Sequence, residues 1–122
     1  MAEHSIDKRI LVPGTTEALS LWHKVTLQTV RNDEFDLSAR QLALLLTVAL
    51  EPGPHTVRGL AEHMNVSKPA ICRALDTLSK YKLTERVVDK SDRRNVFIQP
   101  TDEGYNYLAS FGQNIFSNLA EM

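Results

Sequence analysis

The chain has 122 residues, 43% of them hydrophobic and 24% charged, with a formal net charge of −1. That is the length of one domain, enough to bury a real core but small enough for oligomerisation to help. No apolar run reaches the ~18 residues of a membrane span, the N-terminal "MAEHSIDKRILVPG" does not read as a secretory signal, and the lone Cys72 cannot form an internal disulfide, so a cytoplasmic chain is expected.

The charge is unevenly placed. Residues 56–100 carry nine Lys/Arg against five Asp/Glu, residues 1–55 five against seven, and residues 101–122 none against three. A basic segment between acidic flanks suits a local surface for nucleic acid. By itself the imbalance is also what a solvated face looks like.

Residues 1–14 read as an extended arm stopped by "VPG", and residues 15–122 as a single domain. The first helix starts near Thr15 and runs to about Arg31. Ala18, Trp22, Val25 and Thr29 share a stripe, with Leu19 and Val30 on one side and Leu21 on the other. That arc is wide for a helix with one neighbour, so Leu21, Trp22 and Val25 are candidates for a subunit interface. The second helix opens on "LSARQL", with Ser38 as N-cap and Gln41 three residues on, a capping box. Its interior, "LALLLTVAL", is nearly all apolar and belongs in the core; "EPGP" ends it.

Thr56 caps a third helix over Val57 to Met64. Asn65 then tolerates a left-handed turn. Ser67 caps a fourth helix that runs to about Lys80, with Pro69 in its first turn. The β-branched runs "LTERVVD" and "NVFIQP" flank a charged turn and read as a two-stranded hairpin, with Val96 and Ile98 on its core side. The last helix, about 101–121, has a stripe of Tyr105, Leu108, Phe111, Ile115, Phe116 and Leu119. Of these, Leu108, Phe111, Ile115, Phe116 and Leu119 are further interface candidates.

This order is a helix–turn–helix, about 57–81, followed by a wing, about 84–99. The fold class is mainly α (α+β): a winged helix-turn-helix with an N-terminal helix and a C-terminal dimerisation helix. In "VRGLAEHMNVSKPAICRALDTL", Ala61 permits a close crossing, and Leu60, Met64, Val66, Ile71, Ala74, Leu75 and Leu78 make a shared core. With Ile71, Leu75 and Leu78 inward, the fourth helix turns Pro69, Arg73, Asp76 and Lys80 outward, with Ala70 and Thr77 on one flank and Cys72 on the other. A recognition helix reads base edges with its N-terminal residues. Arg73 suits a bidentate guanine contact, Ser67 and Lys68 a base edge or a phosphate, and Ala70 and the Pro69 ring a thymine methyl. Lys80, with Arg40, Thr56 and Lys82, is a candidate phosphate contact. Asp76 either orients Arg73 or pairs with a cation of the wing.

Residues 60–104, "LAEHMNVSKPAICRALDTLSKYKLTERVVDKSDRRNVFIQPTDEG", resemble the MarR family of winged-helix regulators. The resemblance rests on Leu83-Thr84-Glu85-Arg86 entering the wing, Asp92-Arg93-Arg94 at its tip, and Pro100-Thr101-Asp102-Glu103-Gly104 opening the next helix. It implies a homodimer on a pseudo-palindromic site in double-stranded DNA. Each recognition helix would enter a major groove and each wing, through Lys90, Arg93 and Arg94, a minor groove. It also implies that Asp92 pairs with Arg94 and stiffens the tip, leaving Lys90 and Arg93 freer to reach out. Many members respond to small molecules or oxidants; no particular effector is legible here. Two departures stand out. Lys82 occupies a position that is usually glycine, so that the turn into the wing differs or the lysine touches a phosphate. A single terminal helix of about 20 residues stands where the family has a longer one and another, which leaves dimerisation to the first helix, the arm and this one.

Other chemistries lack a pattern. His4, His23, His55 and His63 form no i, i+4 ligand pair and no Cys/His cluster, so no metal is expected. Cys72, on the flank of the recognition helix, has no clear cationic pocket to activate it. There is no glycine-rich phosphate loop and no G-x-S-x-G, so neither an enzyme nor a cofactor is expected. The competing reading is a winged helix that docks an acidic protein through its basic stretch. It predicts weak duplex binding without sequence preference.

Overall fold

Four short hydroxyl side chains decide where most of the helices begin. Residues 14–32 and 35–122 are described by the computed structural model, so the expected N-terminal arm lies, but for Gly14, outside the described residues. Helix α1 spans Thr15–Asn32. Ser38 caps α2, Ala39–Leu50: its Oγ accepts from the Gln41 N–H at 3.1 Å, and Gln41 Oε1 accepts from the Ser38 N–H at 2.9 Å. The reciprocal pair satisfies two of the donors that a helix start leaves open. Thr56 caps α3, Val57–Met64, and Ser67 caps α4, Lys68–Lys80. Thr101 does the same for α5, Asp102–Ala120, accepting from the Gly104 N–H at 2.9 Å. Between α4 and α5 lie β1, Thr84–Val88, and β2, Val96–Pro100. They pair antiparallel, with Arg86 opposite Ile98 and Val88 opposite Val96.

The described residues fall into two compact units. The sequence reads as one domain over 15–122; within the described residues, α1 and the end of α5 make contacts with each other. One unit therefore holds α1 with residues from Phe111 onward, and the other holds residues 35–110.

The second unit is built on one apolar cluster. Leu44, Leu45 and Val48 of α2 meet Leu60 and Ala61 of α3, Ile71, Ala74, Leu75 and Leu78 of α4, Leu83 just before β1, and Ile98 of β2. Each fully buried leucine among them is worth about 1.5–3 kcal/mol. The wing is thus anchored in the core at its base only. Ile98 is buried, and its N–H donates to the His55 carbonyl at 2.8 Å, which ties β2 to the segment before α3. Val96, expected beside Ile98 on the core side, is instead exposed, because the hairpin has left the core by that point. Phe35 stacks against Tyr81, with ring centroids 4.4 Å apart, and against Tyr107, at 5.3 Å.

Both helices of the helix–turn–helix end in the same way. After α3, Asn65 is left-handed (φ 56°), the Val66 N–H donates to the Ala61 carbonyl at 3.0 Å, and the Asn65 N–H to Glu62 at 3.3 Å. After α4, Lys82 is left-handed (φ 62°), the Leu83 N–H donates to Leu78 at 2.9 Å, and the Lys82 N–H to Ser79 at 2.9 Å. This bond pair is the Schellman termination, which glycine enters without steric cost. A lysine there costs about 1–2 kcal/mol of backbone strain. Part of that returns through the charge at a helix C-terminus and through the smaller freedom of the unfolded lysine.

We expect Lys82→Gly to raise unfolding stability by about 0.5–1 kcal/mol. The check is a urea titration, read as a higher midpoint at constant slope. A lower midpoint would contradict the strained-cap account.

Candidate nucleic-acid interface

The turn between α3 and α4 aims the start of α4 outward. Ser67 Oγ accepts from the Ala70 N–H at 3.2 Å, and Pro69 sits in the first turn, where its missing N–H costs nothing. Ser67, Lys68, Pro69, Arg73, Asp76 and Lys80 are all exposed. Among the described residues Arg73 has no ion pair. Ala70 does not join this face, since only 5% of its surface is accessible. The physical reason is rotation. Ala70 lies one helical repeat before Ala74, and the inward arc runs from Ala70 through Ile71 to Leu78, wider than a wheel centred on Ile71, Leu75 and Leu78 suggests. Ala70 cannot reach a thymine methyl from there.

Beside this face, Arg58, Ala61, Glu62, Asn65, Val66 and Lys68 line an open notch. Arg58 and Glu62 form an exposed pair at 3.8 Å across one turn of α3. The remaining candidate phosphate ligands differ in availability. Arg40, Lys80 and Lys82 are exposed, whereas Thr56 is half-buried and its hydroxyl accepts from the Gly59 N–H at 3.0 Å.

The wing tip is held by its own carboxylates. Arg94 Nε and Nη2 each donate at 2.9 Å, to the two oxygens of Asp92, and the Arg94 N–H donates to Asp92 Oδ1 at 3.1 Å. Asp89 Oδ1 accepts from the Ser91 N–H at 2.9 Å, and the Asp89 N–H donates to the Asn95 carbonyl at 2.9 Å. These bonds hold both carboxyls below the ordinary 3.8 of an aspartate. For Asp92 the main cause is the Arg94 side chain, then the Arg94 backbone N–H; for Asp89 it is the Ser91 backbone N–H. Asp92 in turn raises the pKa of Arg94. Lys90 and Arg93 are exposed, and among the described residues neither has an ion pair.

Sequence reading left the partner of Asp76 open. The structure pairs it with the wing: Arg86 Nη2 of β1 lies 3.5 Å from Asp76 Oδ1. Arg86 had drawn no attention as a site residue, and its strand alternation with Ile98 opposite was the available signal. A second unforeseen pair joins His63 Nε2 of α3 to Glu51 Oε2 at 3.1 Å, with the His55 ring 3.0 Å from the Glu51 carbonyl. Among the described residues no three His, Cys, Asp or Glu are grouped to hold a metal.

In the other unit, Trp22 meets Phe111 edge-on at 6.1 Å and keeps 46% of its surface exposed, while Phe116 and Leu119 are more than half exposed. Leu21, Phe111 and Ile115 are half-buried. Val25 is fully buried and so offers a second subunit no surface, because it lies at the centre of the unit's packing. Its carbonyl accepts from the Thr29 hydroxyl at 2.9 Å and from Asn114 Nδ2 at 3.4 Å. Leu108, in the 35–110 unit, packs against the main core and is half-buried there.

A sequence profile of the MarR family matches residues 35–95. An uncharacterized HTH-type transcriptional regulator of Bacillus subtilis (strain 168), YdgG, is 30% identical over 112 residues, covering 84% of this chain and 74% of that protein. The chain belongs to the MarR family. Solved structures of similar fold include the complex of S. aureus MepR with DNA. It has a TM-score of 0.69 at 22% identity, over 86% of this chain and 82% of that one. The regulator Tm0710 from Thermotoga maritima has a TM-score of 0.73 at 18% identity, over 93% of this chain and 75% of that one. This MarR-family chain is thus a winged helix-turn-helix transcriptional regulator, and among its described residues no helix is long and apolar enough to cross a membrane.

Because the folded pKa of Asp92 is depressed, the tip pairing contributes above the ordinary 3.8 and is lost as pH falls through the lower, folded value. The Asp92 carboxyl resonance should titrate with a midpoint below 3.8 and carry the Arg94 Nε–H signal with it. In Arg94→Gln the midpoint should move back up. A parent midpoint at or above 3.8 would contradict the bidentate tip.

Proposed function

We propose that the chain acts as a cytoplasmic homodimer that binds a pseudo-palindromic operator in double-stranded DNA and regulates transcription from it. The observation that carries this reading is Arg73, which is exposed on a firmly capped helix and has no ion pair among the described residues. A guanidinium in that state costs little to redirect and matches guanine O6 and N7 bidentately. Ser67, Lys68 and Pro69 line the start of the same face. Arg93 and Lys90, and the outer edge of Arg94, serve the minor groove, where cations respond to groove width and potential. Arg40, Lys80 and Lys82 fix register on phosphates, with Thr56 as a weaker partner because its hydroxyl already caps α3. Trp22, Phe116 and Leu119 supply the apolar surface for the second subunit, with Leu21, Phe111 and Ile115 at its margin. The MepR–DNA complex of similar fold supports the same use of the fold.

The two arginines separate base reading from backbone binding. Arg73→Ala should cost about 1–3 kcal/mol on the preferred site and flatten the base preference at one position of each half-site. Arg93→Ala should lower affinity more evenly across sequences and reduce the slope of log affinity against log salt by about 1. Anisotropy titrations at two salt concentrations read both effects. Unchanged duplex binding in both variants would overturn the reading and favour an acidic protein as the partner.

A further inference from the structure

Asp76 is the one carboxylate on the outward face of α4, lying between Arg73 and Lys80 along the helix. Among the described residues its ion-pair partner is neither of these but Arg86, on β1. The Arg86 backbone is well placed: it sits opposite Ile98, which is buried and bonded to His55. The Asp76 side chain is 73% exposed and that of Arg86 40%. A pair this open to water contributes little to stability. The ion pair is therefore not what keeps helix and wing together, since Leu83 and Ile98 already anchor the wing in the core. What the pair does change is the charge of the face. An anion on a DNA-reading surface repels phosphate, and a free carboxylate also competes for the cytosine amino group.

We propose that Arg86 is a positioning residue for DNA reading, which neutralises Asp76 and holds its carboxylate toward the wing, so that Arg73 and Lys80 meet the duplex without an opposing charge. The proposal rests on the DNA-binding function above. Arg86 acts through Asp76 and not by gripping a phosphate itself. Two consequences separate the roles. Loss of Arg86 harms binding only while Asp76 carries its charge. Keeping the charge, as in Arg86→Lys, keeps the function.

The test is a mutant cycle of the parent, Arg86→Gln, Asp76→Asn and the double variant, with Arg86→Lys alongside. Each is titrated against the duplex that the parent selects from random sequence, and its thermal unfolding is followed by circular dichroism. Arg86→Gln should weaken binding roughly tenfold, the order expected for one uncompensated charge near the ligand. Asp76→Asn should bind at least as tightly as the parent. The double variant should return to within about threefold of the parent, a rescue that a merely structural arginine would not give. Equal losses in Arg86→Gln and the double variant would show that Arg86 touches DNA directly and would overturn the proposal, as would an Arg86→Gln protein that melts like the parent and binds as well. Arg86→Lys should unfold and bind like the parent, so an Arg86→Lys protein that is folded but as weak as Arg86→Gln would also overturn it. A folded parent that selects no duplex would overturn the DNA-binding function itself, and this role with it.

Discussion

The backbone of Lys82 and Leu83 is the knot on which the reading unit depends. The Leu83 N–H closes α4 by donating to Leu78, and the Leu83 carbonyl accepts from the Thr101 N–H at 3.1 Å. The Lys82 carbonyl accepts from the Thr101 hydroxyl at 2.6 Å. A Cβ at Gly104 would run into the Leu83 carbonyl oxygen, so only glycine lets the first turn of α5 come this close. The recognition helix, the first wing strand and α5 are therefore joined by bonds to the main chain of two residues, with the Leu83 side chain buried. Such bonds leave little freedom in the angle between helix and wing. That angle is what a protein needs in order to place one element in a major groove and the other in the neighbouring minor groove.

On this frame the charges do different jobs. Asp92 and Asp89 spend themselves on the wing loop, so part of the cationic tip is committed before any ligand arrives. Lys90 and Arg93 are exposed, and among the described residues neither has an ion pair. Asp76 and Arg86 cancel across the junction of helix and wing. The net charge of −1 therefore says nothing against binding a polyanion. What matters is which cations remain unpaired, and among the described residues these include Lys68, Arg73, Lys80, Lys82, Lys90 and Arg93. An interface of this kind should be strongly salt-dependent.

Much of this was legible in the sequence because it is local. Ser38 with Gln41, Thr56, Ser67 and Asn65 act within four residues of themselves, and the caps and turn that they announce are the ones observed. The failures are where an answer depends on distance or rotation. Ala70 was misplaced because the inward arc of α4 is set by the partners around it and not by its own sequence. Val25 has the right stripe for an interface but is covered from within by the end of α5. Val96 alternates correctly with Ile98, yet alternation does not say where a hairpin leaves the core. Arg86 could be narrowed to "a wing cation" and no further, because choosing it requires the strand register. Lys82 was legible as a departure from glycine; the structure shows that the turn keeps its left-handed form and bears the strain.

The central claim is that a dimer of this chain reads DNA sequence with a rigid pair of helix and wing. Selection of bound sites from random duplex DNA by the full chain tests it most directly. The account predicts an inverted repeat with half-sites about one helical turn apart (roughly 10–10.5 base pairs centre to centre). No enriched sequence, or a single half-site without its inverted mate, would contradict it.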